Sequence, residues 1–193
     1  TCALPISKAR NTAAVRTLIQ QKVDVNSAQP NGTTALHWAA YQDDLATAKL
    51  LVAAGANVKT VNHYGLTPLS SAAENGNGEM VELFLKAGAD ANTTLPGGET
   101  VLMTAARTGK VPAIKSLLSH GANANAKEPK TGQTALMWAA AEGNAAAVET
   151  LIEAGADRRA REYGGFTPYL YAVREGHVET VRVLLKAGVD VNE

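Results

Sequence analysis

Five glycines, Gly32, Gly65, Gly98, Gly132 and Gly165, stand 33, 33, 34 and 33 residues apart. Thr34, Thr67, Thr100, Thr134 and Thr167 follow them in step, and a second series, Gly55, Gly88, Gly121, Gly155 and Gly188, keeps the same intervals. Two near-identical heptapeptides, TALHWAA at 34–40 and TALMWAA at 134–140, are therefore the first and fourth members of a tandem array. The one inserted residue falls between Gly121 and Gly132. A chain with such a period buries its apolar surface unit on unit, because each unit is too small to hold a core alone.

Each unit reads as two short helices. The threonines sit where a hydroxyl can accept a hydrogen bond from the N–H groups of a helix start, worth about 1 kcal/mol each. Pro68 and Pro168 follow two of them at the first helical position, where a missing N–H does no harm. Leu36, Ala39 and Ala40 then offer a small apolar side that a neighbouring helix can approach closely. Gly76, Gly109, Gly143 and Gly176 end this helix, with Asp43 in the same place in the first unit. A second helix follows, as in EMVELFL at 79–85, apolar at helical spacing and charged opposite. Helices of about eight to ten residues do not persist alone in water, where roughly 12–15 are needed, so stacking must supply the stability.

GLTPLSSAAENGN at 65–77 with AGADANT at 87–93, TALHWAA at 34–40 and GGFTPYLYAVREGH at 164–177 resemble the ankyrin repeat. The resemblance covers five units, 31–63, 64–96, 97–130, 131–163 and 164–193. Residues 1–30 hold a partial N-terminal unit, in which TAAVRTLIQQKVDVN mirrors a second helix and its exit. TCALPIS at residues 1–7 resembles translated adapter read-through, so these residues, with Cys2, are expected to be an artefact. The resemblance implies an all-α solenoid of paired antiparallel helices with β-hairpin or loop fingers. His37 stands where such repeats often carry a histidine bonded to the capping threonine.

Composition narrows the function. The 18 basic and 18 acidic residues cancel without a basic stripe, which argues against nucleic acid as a partner. No apolar run is long enough for membrane insertion. His37, His63, His120 and His177 stand in no H-E-x-x-H pattern and beside no cysteine pair, so no metal is expected. GNGEMV at 76–81 and PGGET at 96–100 belong to the repeat architecture and lack a Walker lysine. No G-x-S-x-G elbow is present, and we expect no cofactor and no enzyme activity. Arg158, Arg159 and Arg161, offset by Glu162 and Asp157, read as a solvated hairpin, with an anion contact as the second reading.

The unevenly filled positions point to function. Phe84 and Tyr169 replace repeating leucines and read as core. By contrast, the position four after the capping threonine carries Trp38, Ser71, Thr104, Trp138 and Tyr171. Three residues further come Tyr41, Glu74, Arg107, Ala141 and Arg174, and around the finger glycines stand Tyr64, Leu66, Glu99, Gln133, Tyr163 and Phe166. In the family it resembles, these places line the concave side, where partners usually bind. Exposed aromatics and arginines dominate binding hot spots; the other reading lays these rings flat across repeat junctions.

The expected binding set is Trp38, Tyr41, Tyr64, Leu66, Glu74, Glu99, Thr104, Arg107, Gln133, Trp138, Tyr163, Phe166, Tyr171 and Arg174. The expected function is non-catalytic recognition of a protein partner by a monomer. The alternative is the targeting or substrate-recruiting arm of a larger enzyme or effector, because the KAGVDVNE ending repeats the exit that elsewhere leads into another unit. Alanine-rich units such as AAAEGNAAAVETLIEAGAD resemble those of bacterial ankyrin proteins, many of them exported, which gives a lean toward an exported or periplasmic location.

Overall fold

The computed structural model describes residues 11–192, so residues 1–7 and the start of the partial unit lie outside the described residues. Its elements are α1 Thr12–Gln20, α2 Ala35–Tyr41, α3 Leu45–Ala53, α4 Pro68–Asn75, α5 Gly78–Lys86, α6 Val101–Arg107, α7 Val111–Ser119, α8 Ala135–Ala141, α9 Ala145–Glu153, α10 Pro168–Arg174 and α11 Val178–Lys186. Within each repeat the first helix packs on the second. Between repeats, α2, α4, α6, α8 and α10 stack in one layer, while α1, α3, α5, α7, α9 and α11 stack in another.

The helices begin where the threonines place them. The Thr67, Thr100, Thr134 and Thr167 hydroxyls accept from the N–H groups of Ser70, Met103, Met137 and Leu170 at 3.2, 3.2, 3.4 and 3.3 Å. In the first full repeat His37 joins the cap: the Thr34 N–H donates to its Nδ1 at 3.2 Å, and its Nε2 lies 3.1 Å from the Leu66 carbonyl. A ring nitrogen that accepts on one side and donates on the other is a neutral imidazole. Burial holds its pKa below 6.5, outweighing the bonds to the Leu66 and Thr60 carbonyls that favour the charged form.

The core is a pair of repeating seams. Ala39, Ala72, Ala105, Ala139 and Ala172 are fully buried where adjacent first helices meet. Leu51, Phe84, Leu117, Leu151 and Leu184 are fully buried in the second helices, and Phe84 occupies the leucine position of its repeat. Full burial of such a side chain contributes about 1.5–3 kcal/mol, which short helices could not supply from propensity.

Polar clips join the repeats at both ends of the helix pairs. The Asn75 Nδ2 donates to the carbonyls of Ala40 and Tyr41, and the Asn144 Nδ2 to those of Ala106 and Arg107, satisfying the open C-terminal ends of α2 and α6. In the exit loops, the Asn125 Nδ2 donates to the Gly155 carbonyl at 3.1 Å while its Oδ1 accepts from the Asp157 N–H at 2.7 Å. Asn26 and Asn92 repeat this clip on Gly55 with Asn57, and on Gly121 with Asn123. Lys59 and Arg159 hold the equivalent places in the other two junctions.

The fingers are tight turns. Two isolated antiparallel bridges, Ala28 with Thr34 and Thr94 with Thr100, are the β-structure among the described residues. Their arms are too short for a ladder, and side chains organise the tips instead. The Asn62 Oδ1 accepts from the Tyr64 and Leu66 N–H groups, and the Glu162 carboxylate from those of Gly164 and Phe166. At the inserted residue, Glu128 does this work, bonded by the Thr131 hydroxyl and the Lys130 N–H. Adjacent fingers touch directly: the His63 N–H donates to the Asn31 carbonyl and the Tyr163 N–H to that of Thr131, both at 2.8 Å.

Candidate functional site

The side chains that differ between repeats come together on the face formed by the first helices and the fingers. In the first two repeats, Trp38 and Tyr41 meet edge to face, ring centroids 6.0 Å apart. With Tyr64, Leu66, Asn62 and Ser71 they line a recess of about 310 Å³ that His37 also borders. Tyr41 and Tyr64 are 68% and 65% exposed, so these two rings form its accessible walls. Trp38 is half-buried against the core.

Further along, cations lie over rings. The Arg107 guanidinium sits 6.0 Å from the centre of the Trp138 ring. Arg174 lies 5.3 Å from that of Phe166 and 4.9 Å from that of Tyr171. Such contacts contribute about 0.5–1 kcal/mol at exposed sites and hold a flexible arginine in one orientation. Phe166 and Tyr171 lie 5.4 Å apart. The Gln133 Nε2 donates to the Tyr171 hydroxyl at 2.5 Å, joining the fourth repeat to the fifth.

Not every expected surface residue presents a surface. Thr104 and Tyr171 are only 5% and 7% exposed. Tyr171 is covered by its contacts with Phe166, Arg174 and Gln133, so the reading of rings laid across repeat junctions describes it. The sequence could not separate Tyr171 from Trp138, because cover by neighbouring side chains leaves no mark on the position itself. Trp138 is half-buried, and its indole N–H, shielded from solvent, has no acceptor among the described residues.

Tyr163 is 68% exposed but is not the counterpart of Tyr64. It lies on the preceding finger, where a methyl group on Gly132 would fall 2.8 Å from its ring. Glu74 and Arg107 are exposed, while Leu66, Glu99, Gln133 and Phe166 are half-buried. Recess residues outside the set expected from the sequence include His37, Asn62 and Glu142. The first two act as framework and as lining at once, and a search for variable positions passes over framework.

No helix among the described residues is long and apolar enough to cross a membrane. No group of three or more His, Cys, Asp or Glu residues among the described residues is placed to hold a metal ion.

The ankyrin repeat family, described as Ankyrin repeats (3 copies), matches residues 6–95, 72–162 and 102–193, and the chain belongs to that family. The crystal structure of EF0377, an ankyrin repeat protein, superposes with a TM-score of 0.87 at 28% sequence identity, covering 96% of each chain. No curated protein matches the sequence. Ankyrin repeats are generally protein–protein interaction modules without enzyme activity.

Proposed function

We propose that this protein is a non-catalytic binding module that takes a protein partner along the concave face made by α2, α4, α6, α8, α10 and the fingers. The observation that carries this reading is the contrast within the repeat: buried Leu and Ala positions recur, while the neighbouring exposed positions hold Tyr41, Glu74, Arg107 and Arg174. The tyrosine-walled recess of the first two repeats is the main anchor, because large rings lose little conformational entropy on contact. Glu74, Glu99, Arg107 and Arg174 then select by charge. The array is preorganised, so binding needs little rearrangement.

Photo-crosslinking tests this. A benzophenone amino acid at Tyr41 or Arg174 is expected to give protein adducts in a lysate of the source cells, and one at Glu153 on the second-helix layer is not. Equal adducts from both layers, or adducts from Glu153 alone, would refute concave binding. For a captured partner, Trp38→Ala, Trp138→Ala and Arg107→Ala should each weaken affinity by about 1 kcal/mol or more.

A second reading, the recruiting arm of a larger enzyme or effector, is favoured by one observation. Val173, Val178 and Leu185 of the last helix pair are exposed and Val181 is half-buried, while Ala140 and Val148, the counterparts of Val173 and Val181 in the preceding repeat, are fully buried. Such an apolar face suits contact with further polypeptide.

A further inference from the structure

The recess between the third and fourth repeats is a different kind of site from the tyrosine-walled one. It measures about 240 Å³ and is lined by Arg107, Gln133, Met137, Trp138, Ala141 and Glu142. Arg107 is exposed and held over the Trp138 ring, and no carboxylate among the described residues lies within ion-pair distance of it. Its counterpart two repeats on, Arg174, is paired with the next residue in the chain, Glu175, at 2.7 Å.

The difference is written in the residue that follows each arginine. After Arg107 comes Thr108, whose hydroxyl donates to the Thr104 and Ala105 carbonyls of its own helix and leaves the guanidinium unneutralised. The fourth repeat reverses the choice, with Ala141 in the arginine position and Glu142 after it. An unpaired guanidinium beside the half-exposed apolar surfaces of Trp138 and Ala141 is therefore left facing solvent.

Resting on the concave-binding reading, we propose that this recess receives an acidic side chain, Asp or Glu, from an extended segment of the partner. Its carboxylate takes the Arg107 N–H groups, and its methylene stem lies against the apolar lining. The stacking on Trp138 reduces the entropy lost when the pair forms, and a guanidinium–carboxylate pair is stronger than a neutral hydrogen bond. Glu142 works against the incoming charge and so limits the recess to one acidic group.

Titration of the full chain with N-acetyl-glutamate N-methylamide, followed through the Trp138 indole and Arg107 Nε signals by NMR, tests the assignment. The Trp38 indole serves as the internal reference. The expected result is a saturable shift at Trp138 and Arg107, weakened roughly tenfold in Arg107→Gln and tightened in Glu142→Gln. Rising salt should weaken it. An equal shift with the neutral glutamine analogue, equal binding by Arg107→Gln, or no saturable shift at all would overturn the proposal. So would equal binding of N-acetyl-alanine, whose only carboxylate is a chain terminus. Concave crosslinking from Tyr41 with any of these results would leave the binding-module reading standing and remove only the acidic specificity.

Discussion

The asparagine clip predicts a stability change that depends on where in the array it is made. Asn125→Ala removes two hydrogen bonds, from Nδ2 to the Gly155 carbonyl and from the Asp157 N–H to Oδ1, and leaves the Asn125 backbone bond to Asn123 in place. Each such bond nets about 0.5–1.5 kcal/mol, and because both are exposed to water the expected loss is about 1–2 kcal/mol in total. Asn192 holds the same repeat position but, among the described residues, bonds only within its own turn, to Asp190. Asn192→Ala should therefore change stability by less than about 0.5 kcal/mol. The converse change, Lys59→Asn, installs the clip in a junction that lacks it and should gain about 0.5–1 kcal/mol. Urea unfolding of the three variants, with amide exchange to locate the loosened region, is the assay. For Asn125→Ala, exchange should rise first around Gly155 and Asp157. Equal losses for Asn125→Ala and Asn192→Ala would refute the reasoning, because the effect would then belong to the residue type and not to the junction.

Other variants probe the caps and the pH response. Gly143 has φ 72, and a β-carbon there would fall 2.6 Å from the His177 Nδ1, so Gly143→Val should cost about 2 kcal/mol or more and loosen the fourth repeat first in amide exchange. Asp43 adopts φ 57 without being glycine, yet its carboxylate accepts from the Asn77 Nδ2 at 2.7 Å. Relief of the backbone and loss of that bond offset each other, so Asp43→Gly should stay within about 0.5 kcal/mol of the parent in urea melts. His37 has a folded pKa below its unfolded value of 6.5, so the unfolded chain takes the proton first and stability falls as pH drops below that value. The decline between pH 7.5 and 5.5 should be smaller in His37→Gln. For Glu128, burial alone would raise the pKa, but the Thr131 hydroxyl and the neighbouring amides outweigh it and hold it below 4.5. Its contribution is complete above 4.5 and lost as pH falls through the folded value, so acid midpoints should move less in Glu128→Gln.

Much of this structure was legible in the sequence because it repeats. The five threonines and the glycines after the first helices mark helix limits by local chemistry, and local chemistry survives in a string of letters. Phe84 was legible too, since it stands where Leu51, Leu117 and Leu151 stand. The clips were not. Asn92 and Asn125 look like ordinary polar loop residues until the next repeat is laid beside them, because their partners are backbone groups, and every residue type has those. The binding face was half legible. Variation picked out Tyr41, Arg107 and Trp138, but it could not show that Tyr171 is covered or that Arg107 is left unpaired while Arg174 is not. Those facts depend on which side chain reaches which neighbour, and the repeat position is identical in each case.

Outside the finger turns, the hydrogen bonds that join one repeat to another link residues 29 to 38 positions apart, and they do so along the described array. A ribosome therefore never has to wait for a distant segment. As soon as one helix pair clears the exit tunnel, its predecessor is already there as a template, and the unfinished chain exposes a single open face instead of a loose core. Loop closure of this kind is short and entropically mild at every step. The same arithmetic makes the gene tolerant of recombination: a duplication or deletion of one whole period would lengthen or shorten the binding strip while leaving each remaining junction with the partners it has now.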